Sequence, residues 1–148
     1  MEIQIEAFLR GGQFRSLMEL QLSAIKEKYG LKRAELEILY FLSQCGERNT
    51  ATDIRRYLKM NKGHISQAIE HLCIKDYLIA GKDPADRRYV HYEITNKAGF
   101  VIREITNLWK QLTLQIFDGI SEEELMLFKK VAYKIGNNMN RLLEEEFH

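Results

Sequence analysis

The sequence is poor in residues that break helices or cross-link chains. It has one proline, nine glycines and two cysteines in 148 residues. A single proline leaves few obligatory breaks, so we expect long helices to dominate. The cysteines, Cys45 and Cys73, lie far apart within apolar patterns and make no disulfide framework, which is typical of a reducing compartment. We expect both to be small core residues rather than redox centres.

Long apolar runs and a basic leader are also missing. No segment approaches the roughly 18 uninterrupted apolar residues that span a bilayer. The first residues carry acids where a signal peptide needs basic side chains. These absences predict a soluble, cytoplasmic protein with no membrane partner.

Motifs of common enzyme chemistry are absent as well. The sequence has no Gly-rich phosphate loop, no HExxH zinc motif and no evident pair of catalytic carboxylates. His64 and His71 are seven residues apart, about 10 Å along a helix, which is too far to share one metal ion. We therefore expect no enzyme activity, no metal site and no cofactor.

Charge is distributed unevenly along the chain. The net charge is +1, but residues 48–92 hold nine Lys and Arg against five Asp and Glu. That balance of +4 leaves −3 for the rest of the chain. A basic middle between acidic flanks is typical of a local polyanion-binding surface. Solvated charge on an ordinary helical protein gives the same balance, so charge alone does not decide.

Hydrophobic periodicity predicts a mainly α fold with one β-hairpin, in the order α-α-α-α-β-β-α-α. Two capping boxes mark helix starts, Thr50 with Asp53 and Ser121 with Glu124. Gly11-Gly12 should weaken the first helix. The predicted helices cover residues 3–28, 32–44, 50–58, 61–75, 95–117 and 121–143, and the predicted strands cover 77–80 and 89–94.

The third and fourth predicted helices, with the hairpin, form a winged helix-turn-helix, a DNA-binding arrangement. Five apolar residues give the fourth helix one buried stripe: Ile65, Ala68, Ile69, Leu72 and Cys73. Gln67 suits a bidentate contact with adenine, and His64 suits donation to a base acceptor. The residues expected to face DNA from these helices are Arg55, Arg56, Lys62, Gly63, His64, Ser66, Gln67 and His71.

The predicted hairpin turn carries two adjacent arginines, Arg87 and Arg88, with Pro84 at the second position of a turn that begins at Asp83. An arginine on a stiff tip can enter a narrow minor groove, where the negative potential is strongest. Asp86 is placed to orient the neighbouring guanidinium by a charge-assisted hydrogen bond. A solvated surface turn is the alternative interpretation.

The run 83–88, followed by Ile94-Thr95 and Gly99, resembles the wing signature of the MarR (multiple-antibiotic-resistance regulator) family. The resemblance implies a triangular homodimer of interleaved helices, with Asp86 orienting Arg88 for the minor groove. It assigns 1–30 and 96–148 to the helical dimerisation region and 31–95 to the DNA-binding lobe. One departure is Asp76, which stands where the family usually has glycine; Asp tolerates a left-handed backbone better than most residues.

The flanking helices carry more apolar surface than one small lobe covers, which predicts a homodimer and a pseudo-palindromic operator. The residues in question are Phe8, Phe14, Leu17, Trp109, Leu112, Phe117, Leu125, Phe128, Ile135, Met139 and Leu142. Members of the resembled family often bind a small aromatic or lipophilic anion, for which Arg15, Tyr40 and Tyr57 are the candidates here. Two packing tyrosines and a surface arginine are the simpler interpretation, so the effector is left open. We expect a transcription regulator, most simply a repressor released by an effector. The alternative is a winged-helix adaptor that binds protein and not DNA.

Overall fold

A computed structural model describes residues 12–146 as six helices and one two-stranded antiparallel sheet. This order confirms the predicted fold class and places the hairpin between the fourth and fifth helices. The predicted beginning of the first helix, with Ile5, Phe8, Leu9 and Gly11, lies outside the described residues. The elements are α1 (Gly12–Tyr29), α2 (Arg33–Gln44), α3 (Ala51–Leu58), α4 (Lys62–Ile74), β1 (Leu78–Lys82), β2 (Val90–Ile94), α5 (Asn96–Ile116) and α6 (Glu122–Glu146).

The described residues divide into two compact units, one of residues 19–109 and one of residues 12–18 with 110–146. In the unit 19–109, α2, α3 and α4 pack on one another and on the hairpin. Each fully buried Leu or Ile stabilises such a core by about 1.5–3 kcal/mol. The largest fully buried apolar side chains are Leu36, Ile38, Leu39, Ile54, Ile65, Leu72 and Val101.

The hairpin is anchored at its base and exposed beyond it. Its register places Leu78 opposite Ile94 and Lys82 opposite Val90. Leu78 is buried, whereas the four later residues of β1 are exposed. Both strands begin one residue later than predicted. For β1 the reason is that Tyr77 instead closes the end of α4 by donating its N–H to the Leu72 carbonyl at 2.9 Å.

The junctions around the hairpin use the residues that the sequence offered for them. Asp76 has a left-handed backbone, with φ of +61°, so aspartate does take the conformation that usually favours glycine. The Thr95 hydroxyl donates to the Asp76 carbonyl at 2.7 Å and accepts from the Ala98 N–H at 3.4 Å. Thr95 therefore caps α5, as predicted.

Burial on α3 and α4 is less complete than the periodicity indicated. Ile54 is fully buried, but Tyr57 and Leu58 are only half-buried. Cys45 is buried, whereas Cys73 lies half-buried at the edge of the α4 stripe, so the prediction of a buried Cys73 is wrong. Burial raises the pKa of both thiols, which leaves them less reactive than an exposed cysteine.

The last helix, α6, begins at the predicted capping box. The Ser121 hydroxyl accepts from the Glu124 N–H at 3.1 Å, and the Glu124 carboxylate accepts from the Ser121 N–H at 2.8 Å. None of the side chains of α6 is buried. Among residues 12–146, no helix is both long and apolar enough to cross a membrane.

Candidate nucleic-acid interface

Local hydrogen bonds fix both ends of α3 and the start of α4, and so define the turn between these two helices. Thr50 and Asp53 form the predicted capping box at the start of α3, where the Thr50 hydroxyl accepts from the Asp53 N–H at 3.3 Å. At the other end, Lys59 has φ of +53° and donates its N–H to the Arg55 carbonyl at 2.9 Å. The Asn61 side chain then accepts from the His64 N–H at 2.8 Å and starts α4. The turn is therefore fixed by short-range bonds.

The helix α4 has one buried face and one exposed face. Ile65, Ala68, Ile69 and Leu72 are buried. Gly63, His64, Ser66 and Gln67 are exposed, as predicted from the 3.6-residue period. The apolar stripe packs α4 into the core, so its polar face is held outward.

Exposed basic side chains lie at the start of α4 and on α3. Lys62 at the first turn of α4 is exposed, and so are Arg55 and Arg56 on α3. Their positive charge and exposure suit contacts with phosphate oxygens. Their DNA contacts remain predictions.

His71 differs from the other predicted contact residues, because it is half-buried rather than exposed. Its Nδ1 forms a short hydrogen bond with an oxygen of Glu35, a carboxylate that is only 2% exposed. The second oxygen of Glu35 accepts from the Lys32 N–H at 2.8 Å and caps α2. His71 still lines one surface cleft of about 320 Å³ together with His64 and Gln67.

Glu35 was missed by the sequence reasoning. Its position in a helix that reads as an ordinary amphipathic segment gives no sign that its side chain turns inward. The signal that was present is the capping arrangement, an acid three residues after Lys32 at the start of the helix. A buried carboxylate needs such hydrogen-bond partners to offset its lost hydration.

The wing turn places an aspartate and an arginine in a fixed pair. Two nitrogens of the Arg88 guanidinium donate to Asp86 oxygens, Nε at 3.0 Å and an Nη at 2.7 Å. The Arg88 side chain remains 86% exposed. The guanidinium, helped by the Arg88 N–H, lowers the pKa of Asp86, so the carboxylate stays ionised at neutral pH. The predicted orienting contact is confirmed, and Arg87 beside it is exposed.

The residues suggested for an effector lie in different surroundings. Tyr40 stacks on Trp109 with ring centroids 6.0 Å apart, and Tyr57 stacks on Phe41 at 4.6 Å. Arg15 is exposed on α1. Their common role in binding an anion remains a prediction. Among the described residues, no group of three or more His, Cys, Asp or Glu is placed to hold a metal ion.

Comparison with known proteins identifies the same domain and fold. Residues 31–98 match the model of a winged helix DNA-binding domain. The transcriptional regulator AdcR of Streptococcus pyogenes is 29% identical over 105 residues, covering 71% of this chain and 69% of AdcR. A crystal structure of AdcR, the adhesin competence repressor, is 25% identical with a TM-score of 0.56, covering 87% of this chain and 98% of AdcR.

Two further solved structures share the fold at lower identity. FabT of Streptococcus pneumoniae, crystallised in complex with DNA, has a TM-score of 0.70 and 20% identity, covering 94% of this chain and 97% of FabT. A MarR transcriptional regulator from Methanosarcina mazei has a TM-score of 0.68 and 17% identity, covering 85% and 91%. The chain therefore carries a winged helix DNA-binding domain at residues 31–98, in a fold that it shares with a MarR transcriptional regulator.

Proposed function

We propose that this protein is a homodimeric, sequence-specific repressor that binds a pseudo-palindromic DNA operator and is released by a small effector. The observation that carries the proposal is the polar face of α4 combined with the oriented Arg88 of the wing, both within the unit 19–109. One element suits the major groove and the other suits the adjacent minor groove.

In the major groove, α4 supplies the side chains that distinguish bases. The Gln67 amide can donate to N7 and accept from N6 of adenine, and His64 can donate to an acceptor on a base edge. Ser66 and Lys62 lie on the flanks, where they reach phosphates. Gly63 removes side-chain bulk at the end of the helix that approaches the duplex.

In the minor groove, the wing supplies positive charge with little sequence information. Two nitrogens of the Arg88 guanidinium are hydrogen-bonded to Asp86, so little side-chain entropy is lost when Arg88 inserts. Arg87 beside it, and Arg55 and Arg56 on α3, add contacts to the phosphate backbone. Binding by these arginines should vary little between sequences.

The dimer is supported by an apolar stripe on α6. Leu127, Val131, Ile135, Met139 and Leu142 recur at intervals of four, four, four and three residues, and each is at least 46% exposed. A helix of this pattern needs a partner, and a second copy with two-fold symmetry is the simplest. Two lobes then read two half-sites about one helical turn apart.

Repression and effector release are the finer parts of the proposal. The name of the relative AdcR, adhesin competence repressor, supports repression. Effector release, through a small aromatic or lipophilic anion, rests on the family resemblance. The proposed site of action is the cytoplasm, where the operator would lie.

Salt titration of binding to duplex DNA tests the proposal. Log K should fall with log salt by about 0.9 for each phosphate neutralised. We expect Arg88→Ala to weaken binding to all sequences and to reduce this slope by about one. Gln67→Ala should instead relax the choice at one base position and leave the slope unchanged.

Two results would count against this assignment. No binding at low salt, or a flat salt response, favours the adaptor that binds protein. Equal loss on all sequences in both variants contradicts the division of roles between Gln67 and Arg88. Selection of bound fragments from genomic DNA supplies the operator needed for the comparison.

A further inference from the structure

A single histidine in β2 joins three parts of the unit 19–109, here called the winged unit. His91 Nδ1 forms a hydrogen bond with Oδ1 of Asn49, in the loop that precedes α3. His91 Nε2 lies 3.2 Å from Oδ2 of Asp83, where the wing turn begins. The side chain is 33% exposed, so the ring is accessible to protons from solvent.

The main chain reinforces the same junction. The Tyr92 N–H donates to the Asn49 carbonyl at 3.0 Å, and Thr50 pairs with His91 as an isolated antiparallel bridge. The loop before α3 thus pairs briefly with β2, on the side of that strand away from β1. A displacement of His91 would therefore shift both the segment that starts α3 and the hairpin.

Asp83 connects this junction to the wing turn. Its Oδ1 accepts from the Ala85 N–H at 2.8 Å, and its own N–H donates to the Tyr89 carbonyl at 3.1 Å. The Ala85 N–H first, and His91 second, lower the pKa of Asp83, so this carboxylate is ionised at neutral pH. Its remaining oxygen, Oδ2, is the one that faces the imidazole.

The two oxygen partners decide which form of the ring fits. A neutral imidazole has one N–H and donates to one oxygen, whereas an imidazolium donates to both. If the Asn49 amide turns so that its NH₂ donates to Nδ1, a neutral His91 ring can still donate from Nε2 to Asp83. The imidazole that donates in this bond then carries no charge. The carboxylate alone is charged in that bond, whereas an imidazolium adds the opposite charge and makes it an ion pair, which is stronger.

Among the described residues, Asp83 holds the carboxylate that pairs with a ring nitrogen of His91. Gly81, the residue opposite His91 across the hairpin, has no side chain. Asp53 on α3 is engaged by Thr50, and Asp86 is engaged by Arg88. Asp83 is therefore the charged group that senses the protonation of His91.

We propose that His91 is a positioning residue of the wing, which in its protonated form ties the wing turn to the loop before α3 and so favours the pose in which Arg88 meets DNA. The DNA affinity then increases as the pH falls and His91 gains its second ring proton. This inference rests on the proposed DNA-binding function for its effect on affinity, but not for its effect on the wing.

The first test uses the free protein. Backbone ¹⁵N relaxation of wing residues 84–89 is measured from acid to alkaline pH, together with the ring ¹⁵N shifts of His91. We expect the wing to gain order as His91 becomes protonated, and His91→Gln and Asp83→Asn each to abolish this pH dependence. His64→Gln, a histidine variant on α4, should keep it. The proposal is overturned if the backbone order of residues 84–89 is the same at acid and alkaline pH. It is also overturned if this order depends on pH equally in wild type and in His91→Gln.

The second test measures binding to a mixed-sequence duplex at constant salt. Any histidine near DNA favours binding at low pH, so the wild type is compared with His91→Gln and with His64→Gln. We expect the loss of affinity on raising the pH to be up to about fivefold larger in wild type than in His91→Gln, the effect that one part-exposed ion pair supports. An equal loss in the two proteins refutes the link to affinity. Absence of any duplex binding refutes the proposed function instead, while the relaxation test still reports on the wing.

Discussion

The unit 19–109 and the helix α6 have similar apolar content but opposite burial. In the unit 19–109, Ile38, Ile54 and Leu72 are fully buried, whereas none of the side chains of α6 is buried. Most helical stability in proteins comes from packing an apolar face and not from propensity. Among the described residues, nothing buries the apolar stripe of α6 as the core buries the apolar side chains of the winged unit.

Local signals do not explain this difference. Both regions begin helices with a capping box, Thr50 with Asp53 and Ser121 with Glu124. The ends of the helices are thus encoded equally well in both. What separates them is the source of the packing surface, which for α6 we propose to be a second copy of the chain.

The largest effect is expected from charging the α6 stripe. Leu127→Glu with Val131→Glu places two carboxylates where an apolar contact is proposed, and burying them there is costly. We expect a monomer in sedimentation velocity and a loss of DNA affinity of about 100-fold or more, because the two lobes no longer bind together. Asn137→Glu with Asn140→Glu adds the same charge at exposed positions off the stripe and should leave the dimer intact. A double variant that stays dimeric contradicts the proposed interface.

A matched pair of truncations compares the two regions directly. Leu72→Ala removes a fully buried side chain of α4 and should lower the free energy of unfolding by about 2–5 kcal/mol, independently of protein concentration. Leu127→Ala makes the same chemical change on α6, where the cost should depend on protein concentration because it acts through association. Urea unfolding at several concentrations measures both. If both variants lose the same free energy of unfolding at every protein concentration, the proposed difference between the winged unit and α6 is wrong.

An intermediate effect is expected at the buried carboxylate of the winged unit. Glu35→Ala leaves the Lys32 N–H and His71 without their acceptor, and should cost about 1–3 kcal/mol of unfolding free energy. Glu35→Gln keeps an oxygen for Lys32 and should cost less. A double-mutant cycle with His71→Ala isolates the coupling between the two side chains. If the cycle gives no coupling energy, Glu35 acts on α2 alone.

The helices, strands and caps of the winged unit could be predicted from the sequence, because each depends on residues that are close together in the chain. The α4 stripe, the Thr50 cap and the Asp86–Arg88 pair all depend on residues within a few positions of one another. Glu35–His71 and His91–Asn49 were not predicted, since these partners are 36 and 42 residues apart. A histidine or an acid in the sequence does not reveal which distant residue it meets. The half-buried state of His71 was missed for the same reason.

The smallest effect tests whether helix ends contribute equally in the two regions. Asn61→Ala removes the acceptor of the His64 N–H at the start of α4, and Ser121→Ala removes the acceptor of the Glu124 N–H at the start of α6. Each should cost about 1 kcal/mol of unfolding free energy, the usual value of a helix cap. Asn61→Asp, which retains an acceptor, should cost much less. The comparison is made at a protein concentration that keeps the wild type fully associated. A cap on α6 that costs nothing there means that the helix frays at its start, and that its stability resides in the stripe from Leu127 onward.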